Sequence, residues 1–345
     1  MTRVLIIGGA RFIGLAVAIQ LIERGVPVAV LHRTYSTKLD PRILQITGDR
    51  RKDGGLQNPE VASQLAAFNP SLILDMIAFR EEDAADLLAV IKNNLPSCER
   101  IILISSVDVY QSYGKLIRRE AGLIGPGSCA NPIKDDSPLR TVLYPYKDSY
   151  DKIPIEQALM TSDQVVTTVL RLPFIYGPND MQHRFHEFLK KMKDGRPVIL
   201  VDKGQLTFEK TSMFVTNTAA AIVAAILIDK KPAESKAYCI GDGQSDFTEQ
   251  ELIQKLADKL EWTGKVLEKQ EEAEEDFNHH MVVDGSVFAR EFGFVAPVSL
   301  DEALTQTIAW ELENPPSDIV FDYEAEDKVI EKLLLGSDGD GVKTV

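Results

Sequence analysis

The apolar residues of this chain fall into short runs that alternate with segments of helical periodicity. Runs of Val, Ile and Leu, typical of strands, lie at residues 4–7, 28–31, 43–46, 72–77, 100–105 and 165–170. Helical patterns separate most of these runs, at residues 12–24, 60–68, 81–93 and 150–161. Continuous apolar runs are typical of strands buried on both faces, and their alternation with helices indicates parallel strands. The pattern therefore predicts an α/β fold with a doubly wound parallel sheet.

The first predicted strand leads directly into a glycine-rich turn. This turn reads Gly-Gly-Ala-Arg-Phe-Ile-Gly at residues 8–14, a helical pattern follows it, and a second apolar run begins after Gly25. Gly8 allows a tight turn at the end of the strand, and Gly14 allows the helix to pack closely on the sheet. This order of strand, turn, helix and strand predicts a dinucleotide site, with the pyrophosphate at the helix N-terminus.

The rest of the chain is organised differently. Residues 106–148 are rich in Gly, Pro and Ser and predict a loop, of a length that is usually functional or mobile. Beyond residue 171 the predicted segments are shorter, and they indicate a smaller C-terminal α/β substrate lobe. They are helices at 185–193, 216–228, 248–260, 300–312 and 323–335, with strands at 198–201 and 238–241.

These segments suggest a division of the chain into two interleaved parts and a tail. We expect residues 1–175 and 206–234 to form the dinucleotide-binding domain. Residues 176–205 and 235–315 should form the substrate lobe, and residues 316–345 a C-terminal tail.

Composition and charge narrow the functional classes. Hydrophobic residues make up 44% of the 345 residues, which is ample for a buried core. No apolar run reaches the roughly 18 residues of a membrane span. The net charge is −14 and Lys and Arg form no long run, which disfavours nucleic acid as a partner. Three isolated cysteines and an N-terminus without a signal-peptide pattern lead us to expect a cytoplasmic protein.

Several blocks in order resemble the extended, or atypical, short-chain dehydrogenase/reductase superfamily of NAD(P)-dependent epimerases, dehydratases and reductases. Besides the glycine turn they are Gly48-Asp49, Ser-Ser-Val-Asp-Val-Tyr at 105–110, Lys-Ile-Pro-Ile-Glu at 152–156, Leu-Arg-Leu-Pro-Phe-Ile-Tyr-Gly-Pro at 170–178, Phe214-Val215 and Tyr-Cys-Ile-Gly at 238–241. The resemblance implies a Rossmann-type fold with a nicotinamide cofactor. The Gly-Gly-x-Arg-Phe-Ile-Gly variant is most similar to an atypical branch that also includes chloroplast stem-loop RNA-binding proteins.

The resemblance also implies which residues bind the cofactor. They are Gly8, Gly9, Arg11, Phe12, Ile13, Gly14, His32, Arg33, Asp49, Ala78 and Lys152. Arg11 replaces the family's usual middle glycine, and the second strand ends in His32-Arg33, where NAD-preferring relatives have an acidic residue. Two guanidinium groups there would suit a 2′-phosphate, so we expect NADP in preference to NAD. In the other interpretation, Arg11 points outward and Arg33 only ends the strand.

The catalytic set implied by the resemblance is a Ser or Thr together with a Tyr and a Lys four residues apart on one helix face. Ser106 and Lys152 match two of these positions, but Asp148 stands four residues before the lysine. Tyr146 and Tyr150 lie on either side of Asp148. At about 100° per residue, Tyr150 would lie on the opposite face of a regular helix from Lys152.

Proline placement offers a way around this problem of helical phase. Pro154 favours a helix that begins near Ile153, because proline suits the first turn and is excluded from the interior. Tyr150 would then precede the helix, and we predict it as the acid/base residue beside Ser106 and Lys152. Tyr146 remains an alternative, as does Asp148 assisted by Ser106. A third alternative is that redox chemistry is lost while binding is retained.

The substrate positions differ from those of relatives that act on nucleotide sugars, which hold the diphosphate with two arginines. Here the first position is Lys210 and the second falls in the acidic stretch 271–276, whose carboxylates would repel a diphosphate. We therefore predict an NAD(P)-dependent oxidoreductase or epimerase/dehydratase-like enzyme whose small-molecule substrate is not a nucleotide sugar, and a possible homodimer. The alternative is a non-catalytic cofactor-sensing or RNA-binding protein. No motif predicts a metal site, because His183 and His186 lack a third ligand.

Overall fold

The computed structural model describes residues 2–120, 131–142, 150–230 and 232–336. Its strands are β1 Val4–Ile7, β2 Val28–His32, β3 Leu44–Thr47, β4 Leu72–Asp75, β5 Arg100–Ser106, β6 Val166–Leu172, β7 Phe174–Tyr176, β8 Val198–Val201, β9 Glu209–Phe214, β10 Lys236–Cys239, β11 Asp246–Thr248 and β12 Lys265–Glu268. Its α-helices are α1 Phe12–Glu23, α2 Pro59–Phe68, α3 Glu81–Asn94, α4 Gln111–Leu116, α5 Lys152–Met160, α6 His186–Lys193, α7 Val215–Leu227, α8 Glu249–Leu260, α9 Ser286–Phe292, α10 Leu300–Glu313 and α11 Tyr323–Gly336.

Seven of the strands form one parallel sheet in the order β10-β6-β5-β4-β1-β2-β3. β1 lies inside this sheet and pairs in parallel with β2 on one side and with β4 on the other. The order of strands therefore reverses at β1, and in doubly wound sheets the crevice at such a point binds ligands. The predicted fold class is confirmed.

Alternation along the strands places apolar side chains on both faces of this sheet. In β1, Val4 and Ile6 belong to the core beneath α1 and α7, whereas Leu5 and Ile7 belong to the core beneath α2, α3 and α5. Every residue of β1 and β4 is buried. Burial on both faces explains why these strands read as continuous apolar runs.

The smaller lobe contains two further sheets. β11, β9 and β7 form a three-stranded sheet, and β12 pairs in parallel with β8. α11 packs on the second of these through Ile330, which contacts Val198, Leu200 and Leu267 in one buried cluster. Among the described helices, none is both long and apolar enough to cross a membrane.

Two sequence-based expectations need correction. The predicted loop at 106–148 contains a 3-10 turn at Val107–Val109 and the helix α4, because both are too short to show a periodic pattern. β10, which the predicted division places in the substrate lobe, is instead the edge strand of the large sheet and pairs with β6. A strand of four residues does not reveal its pairing partner in the sequence. β9, in the segment 206–234 that the division gives to the dinucleotide-binding domain, lies in the three-stranded sheet of the smaller lobe. The other domain boundaries stay predictions.

Candidate active site

The glycine turn after β1 has the geometry of a close backbone crossing. Gly8 has φ +91°, a left-handed conformation that favours glycine. A Cβ on Gly14 would lie 2.6 Å from the Gly8 carbonyl oxygen and 2.9 Å from the Gly9 Cα. Only a residue without a side chain lets α1 pack this closely on the turn. The turn therefore fits the backbone requirement of a dinucleotide pyrophosphate.

The first turn of α1 leaves its backbone N–H groups without side-chain caps. Arg11 is the N-cap residue, its side chain makes no capping hydrogen bond, and the first turn contains no acidic residue. Phe12 and Ile13 begin the helix and are half-buried against the core. Free N–H groups and the helix dipole favour an anion at such a terminus. The residues predicted for the pyrophosphate thus lie together.

The end of β2 presents basic groups. His32 is the last residue of β2, and burial lowers the pKa of its imidazole, which favours the neutral form. Arg33 follows on the surface, and Arg11 is exposed as well. An exposed guanidinium, rather than a carboxylate, therefore stands directly after this strand.

A buried ion-pair network fixes the loop after β4, and no local sequence pattern predicts it. Arg50 Nη1 donates to both carboxylate oxygens of Asp75 at 2.7 Å, and its Nη2 donates to the backbone oxygen of Asp83. Arg51 donates to the Asp83 carboxylate at 2.7 Å, and this carboxylate accepts the backbone N–H of Phe79. The side chains of one segment after β3 thereby hold the loop between β4 and α3.

Two of the predicted groove residues are engaged by this part of the protein. The Asp49 carboxylate accepts the backbone N–H of Arg51 at 2.9 Å. Ala78 is buried, with 1% of its surface exposed, and its carbonyl oxygen accepts a hydrogen bond from Lys152 Nζ. The side chain of Ala78 is therefore packed in the core, and the residue acts here through its carbonyl group.

Lys152 begins α5, and the structure buries its ammonium group. Asp151 is the N-cap of this helix and accepts the backbone N–H of Ile153. Lys152 Nζ donates to the carbonyl oxygens of Ala78 at 2.7 Å and Ile104 at 3.0 Å. Burial lowers the pKa of Lys152 to about 8, although nearby carboxylates oppose this shift. The group is thus close to its point of titration in the neutral pH range.

Tyr150 precedes α5 and lies beside the other predicted catalytic residues. Its hydroxyl donates to Asp108 Oδ2 at 2.7 Å, and Lys152 Nζ lies 5.8 Å from the centre of its ring. The backbone N–H of Asp108 donates to Ser106 Oγ at 3.2 Å. The structure therefore brings Ser106, Tyr150 and Lys152 together, whereas Tyr146 and Asp148 lie outside the described residues.

Asp108 is also part of this cluster, a role that was not predicted from the sequence. Burial raises the pKa of its carboxyl group, and its Oδ1 has no hydrogen-bond partner among the described residues. Arg140 donates through Nε to the backbone oxygen of Asp108 and through Nη2 to Asp151 at 3.3 Å. Arg140 thus joins the segment after β5 to the start of α5. The position of Asp108 two residues after Ser106 was the available signal.

A second buried pair anchors α5 to the sheet behind the cluster. Arg171 on β6 forms an ion pair with Glu156 at 2.7 Å, and its Nη1 donates to the Tyr110 hydroxyl at 2.8 Å. The Ser105 hydroxyl donates to the same Glu156 carboxylate. These contacts are internal to the fold and indicate a structural role for Arg171.

A wider groove of about 610 Å³ lies between α9 and the loop after β10. Four carboxylates line it, those of Glu209, Asp242, Asp246 and Asp284. Its lining includes none of the residues around Tyr150, so we assign the candidate chemistry to the Tyr150 cluster.

Comparisons with known proteins agree with this geometry. Residues 4–241 match the NAD dependent epimerase/dehydratase family. The chain is 26% identical over 216 residues to the chloroplast stem-loop binding protein of 41 kDa b from Arabidopsis thaliana, a match that covers 59% of this chain and only 50% of that protein.

Solved structures of similar fold belong to nucleotide-sugar enzymes. dTDP-glucose 4,6-dehydratase from Bacillus anthracis, in complex with NAD, superposes with a TM-score of 0.67 at 16% identity, covering 91% of this chain and 97% of that one. UDP-glucose 4-epimerase from Thermus thermophilus, in complex with NAD, gives 0.66 at 20% identity, covering 90% and 98%. At these identities the superpositions establish the shared fold.

The family match spans most of the chain and includes the glycine turn, the Ser106 segment and the start of α5. This protein therefore belongs to the NAD dependent epimerase/dehydratase family. The resemblance inferred from the ordered sequence blocks is confirmed.

Proposed function

We propose that this protein is an NAD(P)-dependent enzyme of the oxidoreductase or epimerase/dehydratase type that acts on a small alcohol or its carbonyl form. The observation that carries the proposal is the hydrogen bond from the Tyr150 hydroxyl to Asp108 Oδ2, at 2.7 Å, beside the buried Lys152 ammonium. A phenol that donates to a carboxylate, with an ammonium group 5.8 Å from the centre of its ring, is suited to proton transfer. The bound nicotinamide would accept or supply the hydride.

The chain's own residues would handle the proton. Tyr150 would take the proton from a substrate hydroxyl while passing its own to Asp108, and it would return a proton in the reverse direction. Asp108 suits this exchange because burial raises its pKa toward the working range of a general base. Lys152 would stabilise the negative charge that develops on the phenol oxygen. Ser106 would orient the substrate hydroxyl.

The cofactor would lie along the turn after β1 and the end of β2. Gly8, Gly9, Gly14 and the uncapped first turn of α1 would hold the pyrophosphate. We favour NADP because exposed Arg11 and Arg33 can bind a 2′-phosphate and no carboxylate follows β2 to bind a ribose hydroxyl. The solved relatives above hold NAD, so this preference is a property we assign to the present chain.

Titration calorimetry with NADP⁺ and NAD⁺ tests both parts of this proposal. We expect NADP⁺ to bind the wild-type protein about tenfold more tightly, and Arg33→Gln to remove most of that difference without weakening NAD⁺. Arg24→Gln is the matched control, because Arg24 is exposed at the other end of α1. Tighter binding of NAD⁺ would refute the NADP preference. Binding of neither cofactor would refute the proposed function.

The relative from Arabidopsis gives the non-catalytic alternative a specific basis, since its name describes stem-loop binding. The match covers half of that protein, and the net charge of −14 opposes contact with a phosphate backbone. We therefore rank the enzyme first, and an RNA-binding measurement separates the two.

A further inference from the structure

A small cavity lies beside Lys210, on the three-stranded sheet of the smaller lobe. Its volume is about 240 Å³, which is below the roughly 300–1,000 Å³ of sites for drug-sized ligands. A space of this size suits one ring rather than a nucleoside diphosphate with an attached sugar.

The cationic groups of the cavity are already neutralised. Lys210 Nζ lies 2.8 Å from Glu249 Oε2, and Arg184 Nη1 donates to both oxygens of Asp180 at 2.8 Å. Glu249 is the first residue of α8, where the helix dipole stabilises a carboxylate and so holds the ion pair in place. A diphosphate would have to displace Lys210 from this carboxylate and then lie against it, which is unfavourable.

One buried polar atom of the cavity lining, the Tyr176 hydroxyl, has no hydrogen-bond partner among the described residues. Glu249 Oε2, by contrast, is held in its ion pair with Lys210. Only 1% of the Tyr176 surface and 5% of the Glu249 surface is exposed. Buried polar groups are rarely left unpaired, so the Tyr176 hydroxyl indicates a ligand that can form a hydrogen bond with it, as a hydroxyl group does.

The remaining walls are apolar. Phe174, Tyr176, Phe185 and Leu252 line the cavity, and the rings of Tyr176 and Phe185 stack with their centres 4.8 Å apart. These walls give the cavity an apolar surface against which the C–H groups of a ring can pack.

One wall of the cavity connects it to the segments of the candidate catalytic cluster, although the lining includes none of the catalytic residues themselves. This wall, Phe174, packs against the buried cluster that contains Val107 and Val109, and Ile153 packs against the same cluster. These residues flank Asp108 and Lys152 in the sequence. A substrate group in the cavity would therefore be next to the segments that carry the proposed chemistry.

We propose that this cavity receives an uncharged, hydroxyl-bearing ring of the substrate, and that Glu249 is the specificity-determining residue that excludes phosphate groups. This inference rests on the proposed function, since it describes the substrate of the same site. It is tested by binding alone, so that its outcome does not depend on turnover.

The probes are UDP as a phosphate ligand, and glucose and inositol as uncharged hydroxyl-bearing rings, measured by ligand-observed NMR and calorimetry with the intact protein. The wild-type protein should bind a ring probe and not UDP. Glu249→Gln, which releases Lys210, should raise UDP affinity about tenfold and weaken the ring probe. Tyr176→Phe should weaken the ring probe several-fold and leave UDP unchanged, because it removes only the hydroxyl. Asp258→Asn is the control, with the same charge change on an exposed position of α8.

Three results would overturn the inference. In the first, UDP binds the wild-type protein more tightly than either ring probe does. In the second, neither ring probe binds the wild-type protein. In the third, Glu249→Gln leaves the affinity for UDP unchanged. Thermal unfolding of each variant confirms that it is folded. Absence of NAD(P) binding would remove the proposed function while these binding results still decide the inference, so the two failures are distinguishable.

Discussion

The Tyr150 hydroxyl has a defined proton acceptor in the structure. Asp108 accepts its hydrogen bond through one oxygen, and the other oxygen has no partner among the described residues. A buried carboxyl group of raised pKa can hold a proton that a surface carboxylate would release. Arg140 keeps this segment in register with the start of α5 by contacting both Asp108 and Asp151. The pair therefore combines a proton donor, an acceptor and a fixed separation.

Replacement of Tyr150 by Phe tests this arrangement directly. The variant keeps the ring and loses the hydroxyl, so we expect turnover to fall by about 10²–10⁴-fold while the cofactor dissociation constant changes little. Turnover is followed by the absorbance of reduced nicotinamide in a screen of small alcohols and ketones. Tyr323→Phe is the control, because Tyr323 lies on α11 and contacts Asp194 instead. If Tyr150→Phe retains turnover, the acid/base role passes to Tyr146 or Asp148.

Lys152 should give the folded protein a distinctive pH dependence. Its folded pKa of about 8 lies below the ordinary lysine value of 10.5, so the unfolded chain binds this proton more tightly. Burial of the charged ammonium therefore lowers the free energy of unfolding by its full amount at pH values below the folded pKa. This destabilisation declines as the pH rises toward the unfolded pKa. Between about pH 7 and about pH 10 we expect the wild-type protein to gain about 2 kcal/mol relative to Lys152→Met.

Urea unfolding of both proteins at the two pH values measures this difference. Lys255→Met serves as the control, since Lys255 is exposed on α8 and should behave as the wild type does. Identical pH dependence of the wild type and Lys152→Met would show that the ammonium is not held in the buried position described here.

Whether a site residue can be predicted from the sequence depends on how far along the chain its partner lies. Ser106 and Lys152 could be predicted because each lies within a local block with a family pattern. Arg50 and Asp75 could not, because the two residues are 25 positions apart and meet only after parallel strands have assembled. Asp108 occupies a quoted block, yet its role depends on Tyr150, 42 residues away. Local pattern locates a segment, whereas the partner of each charge is a product of the tertiary fold.

At the scale of elements, the glycine turn after β1 and helix α1 are packed so closely that position 14 has no room for a side chain. Ala at position 14 would place a Cβ 2.6 Å from the Gly8 carbonyl oxygen, and neither backbone segment can move without disturbing β1 or α1. We expect Gly14→Ala to lower the free energy of unfolding by about 1–3 kcal/mol. We expect the free energy of cofactor binding to weaken by at least the same amount. Gly241→Ala is the matched control, since its Cβ would lie at an ordinary 3.5 Å from the nearest atom.

Unfolding midpoints of the two glycine variants measure their stability, and cofactor titrations measure their affinity. Gly14→Ala should lose both stability and affinity, and Gly241→Ala should lose neither. A Gly14→Ala protein with normal cofactor affinity would mean that the dinucleotide does not lie over this turn.

Element boundaries followed the sequence where apolar periodicity was continuous. Strand β1 and helices α2 and α3 lie within a residue of the predicted limits. Pro154 predicts the start of α5 to within one residue, because the helix begins at Lys152 and Tyr150 precedes it. The pairing of β10 with β6 was missed, because an edge strand carries no sequence signal for its neighbour. Periodicity thus predicts which elements exist better than it predicts where they join.

At the scale of the whole molecule, charge separates the enzyme from the RNA-binding alternative. The net charge of −14 creates a field that repels nucleic acid at long range. Two of the exposed arginines, Arg11 and Arg33, lie at the candidate cofactor site rather than on a continuous basic surface with the others described, such as Arg24 at the opposite end of α1. Nucleic-acid affinity arises mainly from many phosphate contacts with basic side chains, each of which makes binding weaker as salt increases.

We therefore expect no binding of a stem-loop RNA tighter than the roughly 10⁻⁴ M limit of weak non-specific association, even at about 50 mM salt, where such contacts are strongest. Fluorescence anisotropy of a labelled stem-loop, with and without NADP⁺, measures this. Arg33→Gln should leave the result unchanged. Saturable binding that weakens steeply with added salt would show a basic surface strong enough to overcome the net charge. That outcome, together with cofactor binding but no turnover, would favour the RNA-binding function over the enzyme.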